Sequence, residues 1–224
     1  MTDIQARHAP AVQAGQLQIT SDWGKPTLGY ILMFRPDPAA AAGLTAVQDR
    51  VLEAEPSLLR QPASQLHNSV AWLLGTRARF IRPKDEIWQE QGDDWLKIIT
   101  GLTDGTGPMR LRFIKIVMTS EAVIAVAEEP NAMAPFRREL TAALGLDWPI
   151  TYDALGIVHV TLLRYREPLA DPAALLRQVA AESISVETEV DELILVRETI
   201  YPTLDYQILR HLPLRGGPVM GPTA

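Results

Sequence analysis

The chain contains no cysteine, so disulfides, thiolate nucleophiles and zinc–thiolate centres are excluded. No apolar run approaches the roughly 18 residues that suggest a membrane span. Positive charge does not dominate either: the net charge is −6, so no global basic field draws DNA or an anionic membrane surface. HExxH, HxxxH and clustered His/Asp patterns are missing, so the sequence offers no metal site. The one glycine-rich stretch, LRGGPVMG, lies near the end with no helix to follow and makes no phosphate loop. No cofactor is implied. The opening MTDIQARHAPAVQAGQ lacks a basic segment followed by an apolar block, so no signal peptide is expected and a cytoplasmic location is the default.

What is present reads as an ordinary globular protein. Of 224 residues, 47% are hydrophobic and 21% charged, enough for one large domain or two small lobes around a shared core. Of the 21 cations, 17 are arginine, the cation best suited to bidentate phosphate contacts. A local basic pocket is therefore compatible with the acidic whole.

Residues 1–25 mix Ala, Gln, Gly and Pro without a period and are expected to form an extended arm, with His8 solvated in it. Residues 215–224 read as a flexible tail. Between them, over 26–214, one plan runs twice. TLGYILMF (27–34) is a β-type run, followed by helical spacing of Leu44, Val47 and Val51. SEAVIAVA (120–127) is the corresponding strand of the second half. It is followed by NAMAPFRRELTAALG, a helix with Phe136, Leu140 and Ala143 on one face and Gly145 as C-cap. A further helix follows in each half: PKDEIWQEQGDDWLKIITGL, with Trp88, Trp95, Ile98 and Leu102 on one stripe, and DPAALLRQVAAE, with Asp171 as N-cap and Pro172 at its first turn. MRLRFIKIVM closes the first half; DELILVRETIY and YQILRHLPL close the second. The predicted class is α+β: two pseudo-symmetric lobes, about 26–118 and 119–214, each strand–helix–strand–helix–strand, with a cleft between the sheets.

Two of the four histidines sit in matching places in this plan. QLHNSVAWLL carries His67 and Ser69; GIVHVTLLRY, 92 positions later, carries His159 and Thr161. Burying an imidazole and a hydroxyl among Val, Leu and Ile is costly unless both find partners. On a strand, residues i and i+2 share a face about 6.5–7 Å apart, so each pair presents an imidazole and a hydroxyl to one side. Two such strands side by side bring four polar groups together. That set suits a phosphodiester. Histidine, with a reference pKa of about 6.5, accepts or gives a proton near neutrality, and hydroxyls donate to oxygens where negative charge builds. The alternative is a pair of structural histidines, each satisfied by a neighbouring hydroxyl.

The two pairs resemble the His-x-Ser/Thr motifs of the two-histidine (2H) phosphoesterase superfamily, the LigT-like cyclic phosphodiesterases. HVTLLR, with Arg164, is the closer match; HNSVAW has serine for the commoner threonine and Trp72 at an aromatic position. FRPD after the opening strand and ETIYPTLDYQILRHLPL near the end extend the likeness over roughly residues 26–214. The resemblance implies metal-independent hydrolysis of a cyclic or linear phosphodiester, typically a 2′,3′-cyclic phosphate on a nucleotide or RNA end; a monomer is expected. His67 and His159 are then base and acid in either order, and Ser69 and Thr161 hold the phosphate. Tyr30 and Tyr201 border the pocket or pack as strand aromatics. Arg164 serves the pocket or, if strict alternation places it on the opposite face, the structure. Trp88 and Trp95 stack bases or belong to the core. A 2′–5′ RNA ligase, or a non-catalytic protein binding a nucleotide or phosphometabolite, are the alternative functions.

Overall fold

The computed structural model of the chain describes residues 4–128, 131–145 and 157–217. Helix α1 (Ile4–Gln13) precedes strand β1 (Pro26–Phe34), helix α2 (Pro38–Ala54), the short strand β2 (Leu59–Arg60), strand β3 (Asn68–Leu74), helix α3 (Lys84–Gly105) and strand β4 (Met109–Met118). The second half has β5 (Ala122–Ala127), α4 (Met133–Leu144), β6 (His159–Arg164), α5 (Pro172–Ala181), β7 (Ser183–Val190), β8 (Glu192–Ile200) and β9 (Asp205–Pro213).

Local chemistry explains several of these boundaries. Asp37 and Asp171 each precede a proline, and their side chains accept from the amides of Ala40 at 2.9 Å and Ala174 at 2.8 Å. Each pair satisfies an otherwise orphaned amide and fixes the first turn. Gly145 ends α4 in the left-handed region at φ 59°, as its predicted capping role requires. The buried stripe of α4 is Met133, Phe136, Arg137, Leu140 and Leu144, not one through Ala143, which is exposed. In α3 the stripe is centred on Trp95 and Ile99, one residue on from Ile98.

The class is α+β, with two antiparallel sheets in the orders β3-β1-β8-β9 and β2-β6-β5-β4-β7. Apart from the extra edge strand β2, the orders correspond position by position. In each, the motif strand (β3 or β6) flanks the opening strand (β1 or β5), and two further strands follow. The sheets do not, however, divide the chain at residue 118. Strand β4, from the first half, pairs with β5 and β7; β8, from the second half, pairs with β1 and β9. The two lobes therefore exchange their closing strands, and neither 26–118 nor 119–214 is a separate lobe.

Residues 4–13 also depart from the extended arm expected over 1–25. Ile4, His8 and Val12 recur at i, i+4 and i+8, a helical face, and Val12 is fully buried; Pro10 inside the helix masks it from a reading of local preference. Of the tail, Arg215 and Gly216 donate backbone bonds to Thr103 and Thr106 carbonyls at the end of α3; 218–224 lie outside the described residues.

The main core lies between the sheets' helix-bearing faces and the helices. Each sheet's other face carries a smaller apolar patch: Ile31, Met33, Ile194 and Val196 with Trp72 and Tyr206 on the first, Val117, Ala122, Ile124 and Val126 with Ile4 and Ile157 on the second. These inner faces carry the two polar pairs.

Candidate active site

His67 lies one residue before β3, and His159 opens β6. Both rings are held in the same way. The Gln65 carbonyl lies 2.8 Å from His67 Nδ1, and the Ile157 carbonyl hydrogen-bonds His159. In each case the anchor is the carbonyl two residues back. A carbonyl only accepts, so the ring nitrogen it holds carries a proton. For His67 the neutral ring then keeps its lone pair on Nε2.

Pairing fixes which neighbours share each face. Ser69 stands opposite Met33 and Trp72 opposite Ile31; His159 stands opposite Val126 and Thr161 opposite Ile124. All four apolar partners belong to the inner patches, so Ser69, Trp72, His159 and Thr161 share those faces. Ser69, His159 and Thr161 therefore lie on the inner faces, and His67, one residue before β3, acts electrostatically on His159. No hydrogen bond among the described residues engages the Ser69 or Thr161 hydroxyl.

A β-bulge settles Arg164. Strand β6 has an extra residue at Leu162, where the register steps from Val123↔Leu163 to Ile124↔Thr161. The bulge reverses the alternation, and Arg164 stands opposite Ala122 of the inner patch. It therefore shares the face of His159 and Thr161. Its Nε is buried with no hydrogen-bond partner among the described residues. The first half has its own bulge at Val70, three residues after His67 as Leu162 is three after His159. Trp72 is thus the counterpart of Arg164.

Two residues that sequence reasoning did not single out join the motif strands. Arg137 of α4, 3% exposed, donates to the Ile157 carbonyl at 2.8 Å, to Asn68 Oδ1 at 2.6 Å and to the Ser69 carbonyl at 2.8 Å. Asn68 Nδ2 donates in turn to the His159 carbonyl at 2.7 Å. Gln48 of α2, fully buried, reaches the other motif strand through the Leu162 carbonyl at 2.8 Å. Each half's helix thus holds the other half's motif strand.

Electrostatics follow from this crowding. Burial, then Arg137, His67 and Arg164, hold the His159 imidazolium down at about 4 against the Ile157 carbonyl. Burial also lowers the His67 value; the Gln65 carbonyl opposes this and Arg164 adds to it. Both rings are only part-exposed, and enclosure by protein disfavours their charged forms. Burial brings Arg137 down to about 10, so it stays a cation at neutral pH. At neutral pH both imidazoles are therefore neutral, and the Arg137 and Arg164 charges reinforce this at His159.

The remaining candidates divide. Tyr30 is not a pocket residue. It is 2% exposed, on the helix-facing side of β1, where it donates to Asp85 at 2.6 Å and stacks on Trp88 at 4.5 Å. Burial and the Asp85 carboxylate push its hydroxyl up to about 12. Trp88 stacks there and Trp95 is buried in the core. Tyr201, in the turn after β8, lies beside the site: the Arg164 guanidinium is 5.7 Å from its ring centre. His8 accepts from the Ser120 amide at 3.4 Å, while His211 pairs with Glu192 on the surface. No cluster of His, Asp and Glu that could hold a metal ion occurs among the described residues, and none of their helices is long and apolar enough to cross a membrane.

No protein-family model and no curated protein matches the sequence. Solved structures do match. TT0787 of Thermus thermophilus is 22% identical with a TM-score of 0.64, over 84% of this chain and 98% of that one. LigT of E. coli in complex with NADP+ is 12% identical with a TM-score of 0.57, over 84% and 99%. ATU0111 of Agrobacterium tumefaciens, a conserved protein of unknown function, is 14% identical with a TM-score of 0.61, over 93% and 98%. These likenesses, each covering nearly all of the other chain, show that the chain has the fold of TT0787 and E. coli LigT, a LigT-like phosphoesterase fold.

Proposed function

We propose that the protein hydrolyses a 2′,3′-cyclic phosphodiester, on a nucleotide or an RNA end, with His67 and His159 as the paired base and acid. The observation that carries this reading is the repeated anchor. Two imidazoles are each tied to the carbonyl two residues behind them and each followed by a hydroxyl on the inner face, and Arg164 shares the face of His159 and Thr161. LigT structures determined with phosphate, 3′-AMP and ATP are in keeping with a phosphate ligand in this fold.

The chemistry is a single displacement. The negative charge of the bound phosphate favours protonation of one ring. The neutral histidine takes a proton from water as the water oxygen bonds to phosphorus. The ring P–O bond breaks, and the protonated histidine gives its proton to the leaving 2′ or 3′ oxygen. Ser69 and Thr161 donate to the non-bridging oxygens, and Arg164, with its unpartnered Nε, balances the charge that builds there. The product is the nucleotide or RNA end carrying a 2′- or 3′-phosphomonoester. Both proton transfers are supplied by the chain, so no step needs a metal ion.

The test is a product-resolved screen of 2′,3′-cyclic nucleotides and cyclic-phosphate-ended RNA, with and without chelator. Turnover to a single monophosphate isomer, unaffected by chelation, is the expected result. Loss of turnover with EDTA and its return with a divalent ion would assign a different mechanism.

A further inference from the structure

Tyr201 also lines a hollow of about 400 Å³, together with Ser21, Lys25, Thr27 and Arg77 among others. The chain fixes its walls firmly. Residues 18–25 are pinned by backbone bonds: Gln18 and Thr20 donate to the Ser120 and Tyr165 carbonyls, Gly24 donates to Tyr201, and Tyr201 donates to Lys25. The facing wall follows β3. Thr76 donates to the buried carboxylate of Glu198, and Lys84 Nζ donates to the Thr76 and Leu28 carbonyls at 2.8 Å. Gly29 makes this approach possible, since a Cβ there would meet Thr76 Oγ1. Arg77, next in sequence, lays its guanidinium 4.9 Å from the Tyr201 ring centre.

Two guanidinium groups therefore contact the Tyr201 ring, Arg164 of the cleft and Arg77 of the hollow. Cation–π contact holds each planar group in place while its N–H donors stay free for oxygen ligands. The hollow adds the Lys25 ammonium and the Ser21 and Thr27 hydroxyls. One carboxylate, Asp22, also lines it, and it is engaged by Lys25 at 3.2 Å. Two cations against one paired acid, with hydroxyl donors, suit an anion of phosphate size.

We propose that this hollow is a second phosphate subsite, taking the 5′-phosphoryl group of the nucleotide whose 2′,3′-cyclic phosphate lies between the histidines; this rests on the function proposed above. The preferred substrate then carries two phosphates one nucleotide step apart. The second is a monoester in a free nucleotide and a diester at an RNA end.

Calorimetric titration of the full chain tests this without turnover. The probes are adenosine 3′-monophosphate, adenosine 3′,5′-bisphosphate and a 3′-phosphorylated diadenylate. The subsite predicts that at least one doubly phosphorylated probe binds tenfold or more tighter than the monophosphate. That ratio falls below twofold in Arg77→Ala, falls in Lys25→Ala, whose side chain is 62% exposed and carries no fold, and is partly kept in Arg77→Lys. A larger gain for the bisphosphate identifies a free nucleotide as the source, and a larger gain for the diadenylate an RNA end. Equal binding of all three probes to the wild type, or a ratio unchanged in both alanine variants, overturns the subsite and leaves the hydrolase reading intact. A gain that depends on Arg77, with no hydrolysis of any cyclic phosphate, leaves the subsite and removes the hydrolase reading.

Discussion

Arg137 donates to Asn68 Oδ1 at 2.6 Å while Asn68 donates to the carbonyl of His159 at 2.7 Å, so one buried guanidinium ties the two motif strands together. Removing it leaves the Asn68, Ser69 and Ile157 oxygens without this donor inside the protein. An unsatisfied buried polar group costs about 1–3 kcal/mol. Arg137→Leu should therefore lower the unfolding free energy by roughly 2–4 kcal/mol in urea titrations. Arg137→Lys should recover less than half, because an ammonium cannot span the fork. Wild-type stability in Arg137→Leu would show that the strands are held elsewhere.

Each motif histidine should be needed for turnover but not for folding. His67→Ala and His159→Ala are each expected to lower kcat by at least about 100-fold, the usual loss for one general acid–base group. The double variant should be little worse than either single one, because the pair works as a unit. Steady-state kinetics on the true substrate, with circular dichroism to check folding, decide it. Near-normal turnover by His159→Ala sinks the assignment.

The lowered histidine values have two consequences for pH. In the unfolded chain His159 titrates near 6.5; folded, it is held at about 4. Between these values the unfolded chain binds more protons, so the stability contributed by the neutral ring is present above about 6.5 and is lost as pH falls towards 4. His159→Gln should flatten the fall in urea midpoint over this window. Binding of a phosphate anion should reverse the shift. Calorimetry at pH 6.5 in buffers of differing ionisation enthalpy should show net proton uptake on binding 3′-AMP, and none in the double histidine variant. The kcat/KM profile, which reports the free enzyme, should be bell-shaped with its maximum on the acid side of the kcat maximum. Proton release on binding would contradict this electrostatic account.

The number of phosphates gripped should be small. With the cleft and its neighbouring hollow engaged, log(kcat/KM) for a cyclic-phosphate-ended oligonucleotide should fall with a slope of about −1 to −2 against log[salt], since each single-strand phosphate contributes about −0.7. Added nucleotides beyond the first few should change kcat/KM little. A slope of about −5 or steeper would reveal an extended basic track.

The sequence carries most of the element order and both His-x-hydroxyl pairs, because local periodicity and capping express them directly; α1, β2 and β7 are not legible in it. Strand β7 was missed although SISVETEV alternates, since its polar face reads as loop. Arg164 could not be placed by alternation because a bulge is set by the partner strand's register, which one strand does not encode. Arg137 stands beside Arg138 in a helix, and nothing local in the sequence marks it as buried. Only the approach of β3 and Ile157 to α4 shows that it is buried and bonded. The exchange of closing strands was equally hidden, because order along a chain does not say which strands pair.

That exchange bears on how the protein is made. Strand β1 forms its second pairing only with β8, from Pro26↔Ile200 to Met33↔Ile194. As the chain emerges during synthesis, the first sheet has only β1 and β3 until nearly all of the described chain has appeared. Two strands alone are marginal in water, and an unpaired apolar edge invites association with other chains. Late pairings of such long sequence separation also slow folding. The ribosome must therefore deliver β8 before the first half has a finished sheet, and a chain interrupted ahead of Glu192 is left with an aggregation-prone β1 edge.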